Sequence, residues 1–342
     1  MKLKSLLLAS GAALIAVSGA RAADAVIIPE PEPVEYVRVC DAAGTGYFYI
    51  PGTETCLQIS GEVIYGIYFE NDEYEGSEED QEGWEKEYEI SLDFNTWRDT
   101  EYGDLTTSIQ LGTDGRNNTT VDQGPDTLSD DDIVVNEAFI TLGGLTIGYT
   151  DSFYPGGLGA SDLDAEGPDT GLIGYTVDFA NGSFGVALED DGNVDWVPAI
   201  VGVVVAEFGD ITVAAAAVYD DTDSFFGGQV HFIYSSGPIT IDASAQYSDQ
   251  SSFGSAYDSG YEWLLALGMD YDVNDKLTVF AGADWGIDQG GGSDDDYVIE
   301  VGAEYEIVDG FTIAVEADFS DRKTGADAFI FEDAEVTFTR SF

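Results

Sequence analysis

Positive charge is what this chain has least of. Its 342 residues hold 11 Lys and Arg against 67 Asp and Glu, with one His, for a formal net charge of −56. Nucleic acid is excluded as a partner, because binding it needs a basic footprint. Cysteine is also scarce: Cys40 and Cys56 are the only two. Two Cys and one His do not make a structural zinc site of the usual kind. Beyond residue 22 no run approaches the roughly 18 apolar residues of a membrane helix. There is no Walker motif, no H-E-x-x-H and no dinucleotide fingerprint. What is present narrows the class further. Glycine stands at 41, too many for a helical protein. Hydrophobic residues make up 44% and aromatics 13%, too rich for an acidic disordered chain. Charge this lopsided repels itself unless cations screen it.

Three of the few bases, Lys2, Lys4 and Arg21, lie in the first 22 residues. There they flank an apolar run from Leu6 to Val17 and an A-x-A site, Ala20-Arg21-Ala22. This is the pattern of a secretory signal peptide over residues 1–22. Residues 23–55 follow as a periplasmic segment, opening with the Pro-Glu alternation of Pro29 to Pro33, which favours an extended chain. In an exported protein, Cys40 and Cys56 closing a short loop read most simply as a disulfide, with two buried thiols as the alternative.

From residue 56 to 342 the chain repeats one pattern. Segments of about ten residues alternate in polarity between Gly- and Asp-rich turns. Leu57, Ile59, Val63, Tyr65 and Ile67 oppose Gln58, Ser60 and Glu62. Trp84, Tyr88, Ile90, Leu92 and Phe94 oppose Glu85, Glu87, Glu89, Ser91 and Asp93. About sixteen segments start near residues 56, 84, 103, 133, 145, 171, 183, 197, 210, 225, 238, 261, 276, 297, 310 and 332. "GG" at 143–144, "NG" at 181–182 and "DG" at 309–310 make tight connections, whereas "ENDEYEGSEEDQEG" and "QGGGSDDD" are long and acidic. This alternation predicts an all-β, transmembrane antiparallel barrel of about sixteen strands. A soluble sandwich or propeller fits less well. Aromatics sit at both ends of apolar faces (Tyr261 and Tyr271, Tyr297 and Tyr305), opposite faces carry mid-strand carboxylates, and no blade-length repeat is visible. A closed barrel has no free edge, so the last strand, "EVTFTRSF", must pair with the first and leave Phe342 at the interface.

The stretch "PEPVEYVRVCDAAGTGYFYIPGTETCLQISG" (31–61), "GGLTIGYTDS" (143–152) and the terminal "RSF" resemble the alphaproteobacterial porins of rhizobial and Brucella type. The resemblance implies a water-filled pore in the Gram-negative outer membrane, assembled as a homotrimer among lipid and lipopolysaccharide. It implies passive diffusion of small hydrophilic solutes and cations, with no cofactor and no catalysis. Phe342 is similar to the assembly signal of such barrels. It also implies that the loop after the fifth barrel strand, residues 150–171, folds into the lumen. By pattern alone that loop reads equally as an external one. Its Asp151, Asp162, Asp164, Glu166 and Asp169 would line a constriction. Glu62, Glu85, Glu87, Glu89 and Asp93 fall on the inward parity of the wall, while Arg98 and Arg116 can reach the pore mouth. This departs from porins that set a basic cluster opposite the acidic loop, and it predicts cation preference.

The rival functions are a substrate-selective channel, for a sugar or a cationic nutrient, and a plugged barrel. The first needs an aromatic ladder, and Tyr68, Phe139 and Phe280 are scattered. His231 stands alone without a matched Ser and acid, so no catalytic residue is assigned. Asp130–Asp132 and Asp294–Asp296 lack EF-hand spacing and read as charged external loops rather than a metal site. "VGVVVAEF" (201–208) and "ITVAAAAVY" (211–219) lack bulky lumen residues and read as a surface for a neighbouring subunit.

Overall fold

A computed structural model describes residues 38–70, 83–117, 133–155, 167–191, 197–221, 224–249, 257–289, 295–320 and 330–342. Residues 1–22, expected to be a signal peptide, and Asp162, Asp164 and Glu166 lie outside the described residues. A two-residue strand, β1 (Phe48–Tyr49), precedes sixteen long ones: β2 (Cys56–Glu70), β3 (Gly83–Arg98), β4 (Leu105–Asn117), β5 (Val134–Leu142), β6 (Leu145–Asp151), β7 (Asp169–Phe179), β8 (Gly182–Glu189) and β9 (Ala199–Phe208), then β10 (Ile211–Asp220), β11 (Phe225–Ser236), β12 (Ile239–Ser248), β13 (Tyr261–Asn274), β14 (Leu277–Gln289), β15 (Asp296–Val308), β16 (Phe311–Ser320) and β17 (Ile330–Ser341). Each of the sixteen begins within two residues of a start expected from the alternation.

Every consecutive pair from β2 to β17 is antiparallel. β17 then pairs with β2 from Asp333↔Glu70 to Ser341↔Glu62, closing the barrel. Phe342 and Gly61 complete the seam with mutual backbone hydrogen bonds of 3.0 and 3.1 Å. Closure matters because lipid offers no partner to an open strand edge. Tight turns sit at one end of the barrel, and glycine makes them possible: Gly143 and Gly310 adopt φ of 56° and 69°, which a side chain disfavours.

The outside is apolar. Ile59, Val63, Tyr65, Ile90 and Ile109 are all exposed on alternate positions. In water each such side chain forgoes about 1.5–3 kcal/mol of burial, and a bilayer supplies that burial. Exposed aromatics mark both ends of this band: Trp263, Trp285 and Tyr297 toward the long connections, Tyr271, Tyr305 and Phe208 toward the tight turns. Trp263 and Tyr271 are eight residues apart, about 26 Å along a strand. Trp285 stacks on Tyr297 with ring centres 5.8 Å apart.

At the tight-turn end, Cys40 and Cys56 form a disulfide. It ties the segment before β2 to the first residue of that strand, where β1 pairs back at Phe48↔Leu57. The inward Gln58 donates to Thr45 O at 3.1 Å, which holds this hairpin beside the pore mouth.

Candidate functional site

The inner face is built from the other parity of each strand, and its two sides differ. On β15 to β17, Glu300 lies beside Asp318, Asp318 beside Asp333, and Glu316 beside Glu335. Oxygens of Glu300, Glu316 and Asp318 lie within 4.8 Å of one another, a group able to attract a hard cation. The acidic face continues across the seam. On β3, Glu87, Glu89 and Asp93 stand opposite Gly66, Ile64 and Ser60 of β2. Glu62 accepts from Ser341 Oγ at 2.8 Å, and Asp93 accepts from Gln110 Nε2 at 3.0 Å. Glu85 holds the next inward backbone position, opposite Tyr68. Glu137 on β5 extends the acidic face, accepting from Thr150 at 3.4 Å.

All but one of the bases on the barrel strands stand elsewhere. Arg98 pairs with Glu54 at 3.1 Å, with both side chains exposed. Arg98 ends β3 at the tight-turn rim, on the parity opposite Asp93 and Asn95. Lys276 donates to Glu306 O and Ile307 O, and Arg340 to Asp309 O, all at the same rim. Lys86 is exposed and pairs with the outward Ile67. Arg116 takes an inward backbone position opposite Glu87.

The far side is apolar. Ala199, Val201, Ala216, Val218 and Phe225, inward on β9 to β11, form a buried cluster with Tyr154 and Tyr257. Tyr154 belongs to the connection after β6, and Tyr257 to the connection after β12. Phe153 packs beside them, with its ring over two inward glycines. A Cβ on Gly174 would come within 2.5 Å of that ring, and one on Gly185 within 3.1 Å. The glycines are therefore a seat for an aromatic side chain. Gln229 Nε2 donates to Pro155 O, and Gln246 Nε2 to Tyr154 Oη at 3.5 Å. His231 is buried behind Gln229, with Nε2 2.8 Å from the amide oxygen.

This changes the reading of two features. Asp151 and Asp169 are not loop residues. They end β6 and begin β7, pair with each other, and share the parity of the exposed Tyr149 and Ile173. The buried Thr150 and Thr170 take the inward positions beside them. The apolar inner positions of β9 and β10 are covered by Tyr154 and Phe153. The residue that sequence reasoning missed is Glu189, whose carboxylate is fully buried on this side. The signal was available in the strands. An inner wall that faced water would not read Ala199, Val201, Val203 on β9 and Ala214, Ala216, Val218 on β10.

A family model described as the porin subfamily matches residues 24–338. Porin Omp2b of Brucella canis is 35% identical over 352 residues, covering 94% of this chain and 93% of that protein. Porin Omp2a of Brucella ovis is 36% identical over 357 residues, covering 94% and 99%. Among solved structures, the outer membrane channel DcaP of Acinetobacter baumannii is similar with a TM-score of 0.62 at 14% identity, covering 86% of this chain and 99% of that one. At that identity the likeness shows the fold alone.

Proposed function

The chain belongs to the porin subfamily, channel proteins of the outer membrane rather than enzymes, and on that premise we propose a passive pore that prefers cations. The observation that carries this reading is the sign of the inner wall. Carboxylates from β15 to β17 and on β2, β3 and β5 take inward positions and far outnumber the one inward base, Arg116, while Lys86, Arg98, Lys276 and Arg340 are exposed or bound at the tight-turn rim. Fixed charge of one sign in a low-dielectric channel concentrates counter-ions and excludes co-ions. Small hydrophilic solutes and cations cross down their gradients, with no cofactor and no energy input.

The narrow zone lies where the connection after β6 meets the inner wall. Ser152 to Pro155 carry it inward, so the constriction has an apolar side and an acidic side. The barrel assembles as a homotrimer surrounded by outer-membrane lipid and lipopolysaccharide, after removal of residues 1–22. Tyr68, Phe139 and Phe280 stand on three non-adjacent strands, β2, β5 and β14, which supports general diffusion over a substrate ladder.

The test is the reversal potential of purified, folded protein in a planar bilayer under a KCl gradient. Stepwise openings with a cation-selective potential are expected. A potential near zero or of anionic sign would end the cation preference while leaving the pore. Selectivity should also weaken at about 1 M salt, where the Debye length falls to about 3 Å.

A further inference from the structure

We propose that Glu189 is the positioning residue that fixes the narrow zone, by clamping two separate connections onto one side of the wall. The proposal rests on the pore reading above and goes beyond it in assigning the device and in adding the second connection. Glu189 ends β8, and its cross-strand neighbours are the buried, apolar Leu172 and Ala199. Its own exposure is 0%, so no passing ion reaches it. It serves instead as a shared acceptor. Oε2 accepts from Ser152 Oγ at 2.5 Å and from Tyr257 Oη at 2.9 Å. Oε1 accepts from the Phe153 amide at 2.7 Å.

A carboxylate only accepts, so three donors converging on its two oxygens form a matched set. The donors come from two places in the chain. Ser152 and Phe153 follow β6, and Tyr257 follows β12. The clamp is completed by ring contact: Tyr154 and Tyr257 meet edge to face with centres 5.9 Å apart. Neither connection reaches Glu189 through a strand ladder. Each is held by this acceptor and by the apolar seat, so loosening one should loosen the other.

The test uses full-length refolded protein with Tyr257→Phe and, separately, Glu189→Ala. Tyr257→Phe keeps the ring and removes one hydrogen bond. It therefore carries the test even where Glu189→Ala does not fold. Two readouts are taken. Amide exchange at Ser152, Phe153 and Tyr154 should quicken in Tyr257→Phe, although the substitution lies in the other connection. Open-channel current noise should rise in both variants, and more in Glu189→Ala. Exchange at 152–154 unchanged in a folded Tyr257→Phe protein overturns the clamp. Coupled exchange in a parent that passes no current keeps the clamp and refutes the pore instead. A conducting parent whose folded variants keep both parental exchange and parental noise refutes the clamp alone.

Discussion

The inner wall has two sides made from the same backbone, and they keep their contents in opposite ways. On β15 to β17 and β2 to β3, carboxylates stand beside one another on neighbouring strands. On β8 to β11, small apolar side chains exclude water and receive Phe153, Tyr154 and Tyr257. One side is a surface for transit, the other a seat for parts of the chain itself. The difference teaches that inward parity in a barrel does not define one environment. What a lumen position tolerates depends on whether something folds over it.

The sharpest way to break this comparison is to make the same change on both sides. Val218→Asp would place an unpaired carboxylate against Tyr154, where the side chain is 1% exposed. It should cost about 3 kcal/mol or more, because a buried charge without a partner is strongly destabilising. Ala314→Asp, which likewise puts a carboxylate inward, on β16 opposite Glu304 and Thr337, should cost no more than about 1 kcal/mol through repulsion from the exposed Glu304. The midpoint of urea-induced loss of the heat-modifiable band checks both. Equal losses would erase the distinction between the two sides.

A second substitution set acts on function more than on stability. Glu300→Gln, Glu316→Gln and Asp318→Asn together remove the densest charge of the wet side while keeping shape. The cation-to-anion permeability ratio should fall about twofold or more, and the unfolding midpoint should hold or rise as repulsion is relieved. A ratio unchanged by this triple variant would move the selective charge elsewhere.

The smallest expected effect belongs to Asp258, beside Tyr257 in the connection after β12. Burial is the main cause that holds its carboxyl above the ordinary value, with Asp249 adding to it. The hydrogen bond from Gly260 N pulls the other way. The folded state therefore binds this proton more tightly than the unfolded chain does. Its stabilising contribution is fullest below the ordinary carboxyl value and is lost as pH rises through the raised one. Asp258→Asn should abolish that dependence, giving a small gain at neutral pH and none in acid, measurable from unfolding midpoints against pH.

Much of the barrel was legible because its signals are local. A period of two, a glycine turn and a parity of carboxylates each sit within a dozen residues, and the strands fall where those signals place them. Glu62, Glu87 and Asp93 could be put on an inward parity for the same reason. The seat was not legible in this way. Glu189 looks like any other carboxylate of an acidic chain until Ser152 and Tyr257, 37 and 68 residues away, are brought to it. The runs 201–208 and 211–219 read as apolar strands, and sequence does not say that Tyr154 and Phe153 cover the inner positions of Val201 and Val218. Asp151 and Asp169 read as loop because alternation is weak at a strand end, where a single residue decides the parity.

The one-signed wet wall also fixes how the lumen meets dilute water. Its carboxylates are bonded to the protein and cannot be washed away, so electroneutrality obliges the lumen to keep its own population of mobile cations. On the proposed reading, the interior would behave as a small Donnan compartment. At about 0.01 M salt the Debye length is about 30 Å, so the wall's field reaches far across the lumen. Current through the pore should then stop falling in proportion to the bath and settle on a floor set by the wall, because the carriers are supplied by the protein's own charge.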